Sequence, residues 1–286
     1  RIRRHRPRVP LHLLLGRQGI KYKAKAPASS AGPAFFIFPL VFRAESGYNR
    51  SEITAAAGLG ENNSMIFENM DRIVFAGDSV TDMGSVQPVG EGLFDNMGHG
   101  YPRVIESLAC AVYPELSLRF TNSGIGGNTS RMLLERYKRD VLDLHPQWVS
   151  ICIGINDVWR QFDSPAISDE AVSPEEYERN LRSMIESAAA VAKGVILATP
   201  YYMEPNRTDF MRARMQEYVD ICAKLAGEYK CIFVDFQSMY DRYFAYKHSS
   251  LIAWDRVHPN QIGATLMAKE WLAACGFDYN HVPGNG

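Results

Sequence analysis

Four short segments of this sequence hold the residue types that nucleophilic catalysis needs. They are Gly77-Asp78-Ser79, the glycine-rich run Asn122 to Thr129 that contains Gly127, Gly154-Ile155-Asn156-Asp157, and Asp255-Arg256-Val257-His258-Pro259. A serine hydroxyl attacks only when a base takes its proton, and His258 is the candidate base. An imidazole base needs a carboxylate to fix its tautomer, and Asp255 stands three residues upstream. An attacked carbonyl needs donors where its oxyanion forms. The backbone N–H groups of Ser79 and Gly127 and the Asn156 amide supply three. Glycine at 127 lets the backbone approach a substrate closely. Asp78 reads as a brace for the nucleophile loop. Taken singly, each segment is a weak signal. Ser79 would serve as a helix N-cap, the glycine-rich run and Gly154 to Asp157 as turns, and Asp255 with His258 as a surface pair.

Convergence of the four depends on the elements that carry them. Short apolar, β-branched runs predict strands at Arg72–Ala76, Leu116–Thr121, Trp148–Ile153, Val195–Thr199 and Cys231–Asp235. Such runs suit parallel strands covered on both faces. Helical patterns lie between them at Tyr101–Val112, Ser130–Leu144, Ser173–Ala192, Thr208–Gly227 and Asn260–Cys275. Ser173-Pro174-Glu175-Glu176 has the form of a capping box, and Gly276 suits a helix C-cap. The glycines between 84 and 100 mark one long loop. Alternating strands and helices imply an α/β fold, a three-layer α/β/α sandwich. In such a sheet, loops after adjacent strands share one edge, which gathers Ser79, Gly127 and Asn156 in one crevice.

The chain has 286 residues, 46% of them apolar, and a net charge of −1. That length allows one large or two small domains. The charge conceals two opposed parts. Residues 1–64 hold eleven Lys or Arg against three Asp or Glu, a net of +8, and residues 65–286 a net of −9. All 11 methionines lie at or after Met65, which leads directly into the first strand. Residues 1–64 are therefore expected to be a basic, non-native or disordered leader, and residues 65–286 the functional domain. A transit peptide or a crude secretory signal (the apolar run Ala34 to Phe42) are the other readings of the leader. An acidic functional domain calls for no nucleic-acid and no membrane partner. No run reaches the length of a membrane span. Five widely spaced cysteines without a Cys-x-x-Cys suit a reducing compartment, with the cytoplasm as the default. The seven histidines show no metal-ligand spacing, so no metal is expected.

Gly77-Asp78-Ser79, Gly127, Gly154-x-Asn156-Asp157 and Asp255-x-x-His258 resemble, in order, the four blocks of the SGNH (GDSL-type) hydrolases. Val80 stands where the family name has Leu, and both are hydrophobic. The resemblance implies a flavodoxin-like sheet of five parallel strands and cofactor-free ester hydrolysis. It implies Ser79 as nucleophile, His258 as base, Asp255 as its orienter, and Ser79, Gly127 and Asn156 as the oxyanion hole. Finer likeness lies in Ile153 to Gln161, Ala253 to Pro259, Pro88 to Gly92 and Ala111 to Leu116. These runs are similar to the intracellular bacterial acetylxylan esterases of that superfamily. An acetylated xylo-oligosaccharide or related sugar would then be the substrate. Trp159, Arg160 and Trp254, beside catalytic positions, would bind it. Ordinary packing would equally account for the tryptophans, and an ion pair for Arg160. The resemblance also favours a homo-oligomer, for which the aromatics Tyr240 to Tyr246 offer either helix core or an interface. Two other functions fit the same pattern. One is a lysophospholipase or thioesterase for longer acyl chains, and the other a non-catalytic flavodoxin-like binding module.

Overall fold

The computed structural model describes residues 64–92, 94–163 and 169–284. The chain divides into two units, Arg1–Glu45 and Ser46–Gly286, and every described residue belongs to the second. The leader reading of residues 1–64 thus lies, apart from Ser64, outside the described residues.

Strand β1 (Arg72–Gly77) leads through helix α1 (Ser79–Asp82) and a two-residue strand β2 (Gly90–Glu91) to α2 (Tyr101–Val112). Then come β3 (Arg119–Gly124), α3 (Ser130–Asp140), β4 (Trp148–Cys152), α4 (Ile155–Trp159), α5 (Pro174–Ala189) and β5 (Gly194–Ala198). The chain closes with α6 (Phe210–Tyr229), β6 (Ile232–Val234), α7 (Phe236–Phe244) and α8 (Gln261–Ala274). The sheet order is β2-β3-β1-β4-β5-β6, parallel except for β2 against β3.

The topology fixes where a site can form. From β1 the chain moves to β3 on one side and then to β4 on the other, so β1 lies at the switch point of the sheet. Gly77 is in register with Gly124 on β3 and with Cys152 on β4. Three strand ends are therefore level, and the loops that follow them leave the sheet side by side.

Helices cover both faces. On one face Phe75 packs against Tyr101 of α2 and Trp271 of α8, and the Trp271 indole N–H donates to Ser150 Oγ at 3.0 Å. On the other, α3 packs against α5 and α5 against α6. Asn260 caps α8 through Ile262 N–H at 3.0 Å, and Ser173 caps α5 through Glu176 N–H at 3.3 Å.

Three expectations need correction. The sheet has six strands, not five, and is not wholly parallel, because β2 pairs antiparallel with Thr121 and Asn122. Two residues are too few to show alternation, so nothing in the glycine-rich loop announced β2. Side chains hold it in place, with the Glu91 carboxylate accepting from Arg119 Nε at 2.9 Å and Thr121 Oγ1 at 3.2 Å. The second predicted strand lies further along, at Arg119–Gly124 rather than Leu116–Thr121. Pro114–Leu116 forms a 3-10 turn, and the strand runs on through the polar Asn122 and Ser123, both fully buried. Asn122 earns its burial through bonds from Nδ2 to Thr81 O and Met97 O and a bond accepted from Gly124 N–H. The third concerns Gly154 to Asp157, which taken alone read as a turn: Gly154 is the N-cap and Ile155 to Asp157 open helix α4.

Candidate active site

Ser79 opens α1 directly after β1. Asp78 rather than Ser79 is the N-cap: its carboxylate accepts Val80 N–H at 2.9 Å. The turn is tight because a Cβ at Gly77 would lie 2.2 Å from Thr81 Oγ1 and 2.6 Å from Cys152 O. As the first helical residue, Ser79 has an N–H with no intrahelical partner. Asp78 is buried, and burial pushes its carboxyl up to about 7, against the Val80 N–H bond that lowers it.

One continuous line of hydrogen bonds joins Ser79, His258 and Asp255. Ser79 Oγ lies 2.7 Å from His258 Nε2, and His258 Nδ1 lies 2.6 Å from Asp255 Oδ2. A carboxylate at Nδ1 holds the ring proton there, leaving Nε2 to accept from the serine hydroxyl. Asp255 Oδ1 accepts the N–H groups of Val257 and His258 at 3.0 and 2.9 Å. Burial would raise the Asp255 carboxyl, but the His258 ring and these two N–H groups outweigh it and hold the group below its usual range. The loop itself is anchored. Tyr201 OH donates to Val257 O at 3.0 Å, Met203 N–H donates to Arg256 O at 2.9 Å, and Arg256 pairs with Glu204 at 2.8 Å. Arg256 takes a left-handed φ of 64°, which bends the chain so that Asp255 faces His258.

The donors predicted for an oxyanion converge on the same edge. Gly127 has φ +79°, and a Cβ there would meet nothing within 4 Å. Glycine is required by this left-handed backbone, and the space beside it is open. Asn156 is buried, and its Nδ2 donates one hydrogen to Asn128 O at 3.0 Å. That bond orients the amide and leaves its second hydrogen available. Among the described residues, the N–H groups of Ser79 and Gly127 donate to no protein acceptor.

The three predicted sugar-binding residues are placed differently. Trp159 lies beside His258, the two ring centroids 6.3 Å apart. Arg160 is committed to ion pairs with Asp163 and, at 3.5 Å, Glu170, and stacks 6.0 Å over Trp159. Trp254 is 89% exposed and stands in solvent next to Asp255. Of the aromatics between 240 and 246, Tyr240 is fully buried and Tyr246 is 86% exposed.

Two groups that sequence reasoning missed hold the loops together. Arg136, buried on α3, donates from Nη2 to Gly77 O at 3.0 Å, from Nη1 to Ser123 Oγ at 3.1 Å and from Nε to Asn128 Oδ1 at 2.7 Å. One guanidinium thus joins the end of β1 to β3 and to the loop that orients Asn156. Its signal was its phase. Arg136 shares a helix face with Leu133, Tyr137 and Asp140, but the run Arg136-Tyr-Lys-Arg-Asp reads as a solvated surface. Asp157, fully buried, receives Ser130 N–H at the start of α3. Burial pushes Asp157 up to about 6, with the Ser130 bonds opposing. Among the described residues, no group of three or more His, Cys, Asp or Glu is arranged to hold a metal ion, and no helix is long and apolar enough to cross a membrane.

Residues 75–266 match the model of the GDSL-like lipase/acylhydrolase family. An acetylxylan esterase from Geobacillus stearothermophilus is 43% identical over 209 residues, 73% of this chain and 95% of the relative. A crystal structure of an acetylxylan esterase from that organism superposes with a TM-score of 0.74 at 42% identity, covering 75% of this chain and 98% of the other. Also similar is an alpha/beta hydrolase enzyme from the metagenome of Lake Arreo, Spain, with a TM-score of 0.72 at 45% identity over 74% of this chain and 98% of that one. Catalytic mutants of the Geobacillus enzyme, with a serine, an aspartate or a histidine replaced by alanine, are among the similar structures.

Proposed function

This chain belongs to the GDSL-like lipase/acylhydrolase family, and from that premise we propose that it removes acetyl groups from acetylated xylo-oligosaccharides or related sugars. It is a carboxylic ester hydrolase, not a binding module. The observation that carries the proposal is the unbroken line from Asp255 through His258 to Ser79 Oγ, at 2.6 and 2.7 Å, beside unpaired N–H donors. The spacing agrees as well. In the Geobacillus esterase the catalytic aspartate and histidine are three positions apart, as Asp255 and His258 are. Its intervals from the catalytic serine to those two residues are also those found here.

Chemistry follows from the positions. Ser79 Oγ attacks the acetyl carbonyl carbon while His258 Nε2 takes the hydroxyl proton. Asp255 steadies the imidazolium that forms. The oxyanion is received by the N–H groups of Ser79 and Gly127 and the Asn156 amide, an arrangement in which one donor is typically worth about 2.7–4 kcal/mol. As the C–O bond to the sugar breaks, His258 returns its proton to the departing sugar oxygen, leaving an acetyl ester on Ser79. His258 then takes a proton from water, whose oxygen attacks that ester, and acetate leaves as Oγ regains a proton. Trp159, against His258, offers a ring for a sugar face to stack on. Arg160 and Trp254 belong to the substrate proposal through their neighbourhood, Arg160 by stacking over Trp159.

Other parts of the proposal rest on less specific features. Five free thiols, four of them buried, support a reducing, cytoplasmic setting. The acidic balance of residues 65–286 supports a partner that is neither nucleic acid nor membrane. The homo-oligomer belongs to the proposal on the family likeness alone. Acetate release from acetylated xylo-oligosaccharides, set against other acetylated sugars and an octanoyl ester, tests the substrate. A preference for the octanoyl ester would favour the longer-chain reading instead.

A further inference from the structure

Asp82 lies one helical turn beyond Ser79 on α1, on the same face of the chain. The two side chains border one gap. A Cβ built on Gly126 would lie 3.7 Å from Asp82 Oδ2 and 3.9 Å from Ser79 Cβ. Gly126 itself is exposed, so the gap opens to solvent at the mouth of the site.

The Asp82 carboxylate is fixed through one oxygen only. Oδ1 accepts Ser85 N–H at 3.0 Å, Ser85 Oγ–H at 2.9 Å and Gln87 Nε2 at 2.9 Å. Gln87 in turn donates to Gly124 O at 3.0 Å, tying this corner to the end of β3. Among the described residues Oδ2 accepts from none, and it is Oδ2 that faces the gap beside Ser79. A carboxylate held rigidly by one oxygen, with the other presented to a cleft, is a preorganised acceptor for hydroxyl groups.

We propose that Asp82 is a substrate-binding residue, whose Oδ2 accepts a hydroxyl of the alcohol half of the ester. The assignment rests on the acetyl-sugar reading above and deepens it. Chemistry decides which half is recognised. An acetyl group ends in a methyl, which gives a carboxylate nothing to accept. A partly acetylated sugar carries free hydroxyls next to the ester oxygen. Asp82 therefore selects esters of polyols over esters of apolar alcohols, and it acts on affinity more than on the bond-breaking step.

The test is Asp82→Asn, which keeps an oxygen for the Ser85 donors and turns Oδ2 into a donor. Kinetics are measured on an acetylated xylo-oligosaccharide and on p-nitrophenyl acetate, whose leaving group presents no free hydroxyl. KM for the saccharide is expected to rise about tenfold, the size of one charge-assisted hydrogen bond, with kcat/KM for the aryl ester within about twofold of wild type. Gly126→Ala, which puts a methyl in contact with both Asp82 and Ser79, is expected to lower saccharide turnover more than aryl-ester turnover. Equal losses on both substrates, or none on either, would overturn the Asp82 assignment while leaving the substrate reading intact. A wild-type enzyme that cleaves the aryl ester but releases no acetate from the saccharide would overturn the substrate reading and the Asp82 assignment with it.

Discussion

Asp157 accepts both the backbone N–H of Ser130, at 2.9 Å, and its hydroxyl, at 2.5 Å. A fully buried carboxylate thereby ties α4, which follows β4, to the first turn of α3. Asn156 sits on one end of that tie and Gly127 three residues before the other. In the proposed mechanism this tie sets the spacing of two oxyanion donors, Gly127 and Asn156.

Asp157→Ala is expected to leave both Ser130 donors unpaired and to cost about 1–3 kcal/mol of stability. It is also expected to lower kcat by ten-fold or more with a smaller change in KM, because the donors lose their spacing rather than the substrate its contacts. Urea unfolding and steady-state kinetics check the two effects. Wild-type kcat in a folded variant would show that the tie does not set the donors.

Arg136 makes the corresponding link from the end of β1, beside Ser79. Arg136→Met would strand Ser123 Oγ and Asn128 Oδ1 and leave Gly77 O only the Ile125 N–H, and a loss on the order of 3 kcal/mol is expected. Lysine is not expected to rescue it, since a point charge cannot span acceptors that a planar fork reaches together. Denaturant titration of the two variants distinguishes this from a simple need for positive charge, in which case Lys would restore most of the loss.

These two residues show where sequence reasoning stopped. The convergence of Ser79, Asn156, Asp255 and His258 is legible because Ser79 and Asn156 follow adjacent strands of an expected parallel sheet and Asp255-x-x-His258 completes the order of motifs. Their supports are not. Arg136 is written among other basic residues, and only its helical phase marks it as inward-facing. Asp157 stands in the motif that supplied Asn156, yet nothing local says that its partner is Ser130, on another element. The β3 boundary departs from the apolar pattern for a related reason. Asn122 and Ser123 are polar by type and buried by position, and apolar periodicity cannot see a polar residue whose bonds are satisfied across the sheet. Close approach is one demand on Gly127, and its φ of +79° is the stricter one.

Asp78 should make stability depend on pH in an unusual direction. In the fold it keeps its proton up to about pH 7, while an unfolded aspartate loses it near 3.9. Between those values the native state binds more protons, so stability falls as pH rises from about 4 to about 7. The difference corresponds to roughly 4 kcal/mol at 1.36 kcal/mol per unit. Asp157 adds to the same fall up to about pH 6. Asp255, held below its usual range, acts in the opposite sense, and its contribution is lost only as pH drops through its folded value. Asp78→Asn keeps an acceptor for Val80 N–H and removes one titration. Its stability relative to wild type is expected to be higher at pH 8 than at pH 5 by a few kcal/mol, read from denaturant midpoints. An equal difference at the two pH values would mean that Asp78 stays ionised throughout.

The most direct measurement is acetate release from an acetylated xylo-oligosaccharide by wild type and Ser79→Ala, with unfolding midpoints to establish that both are folded. A decrease in turnover of at least about 10³-fold is expected for the variant, together with loss of labelling by a fluorophosphonate probe. A folded Ser79→Ala enzyme that still released acetate at a comparable rate would contradict the assignment of Ser79 as the nucleophile.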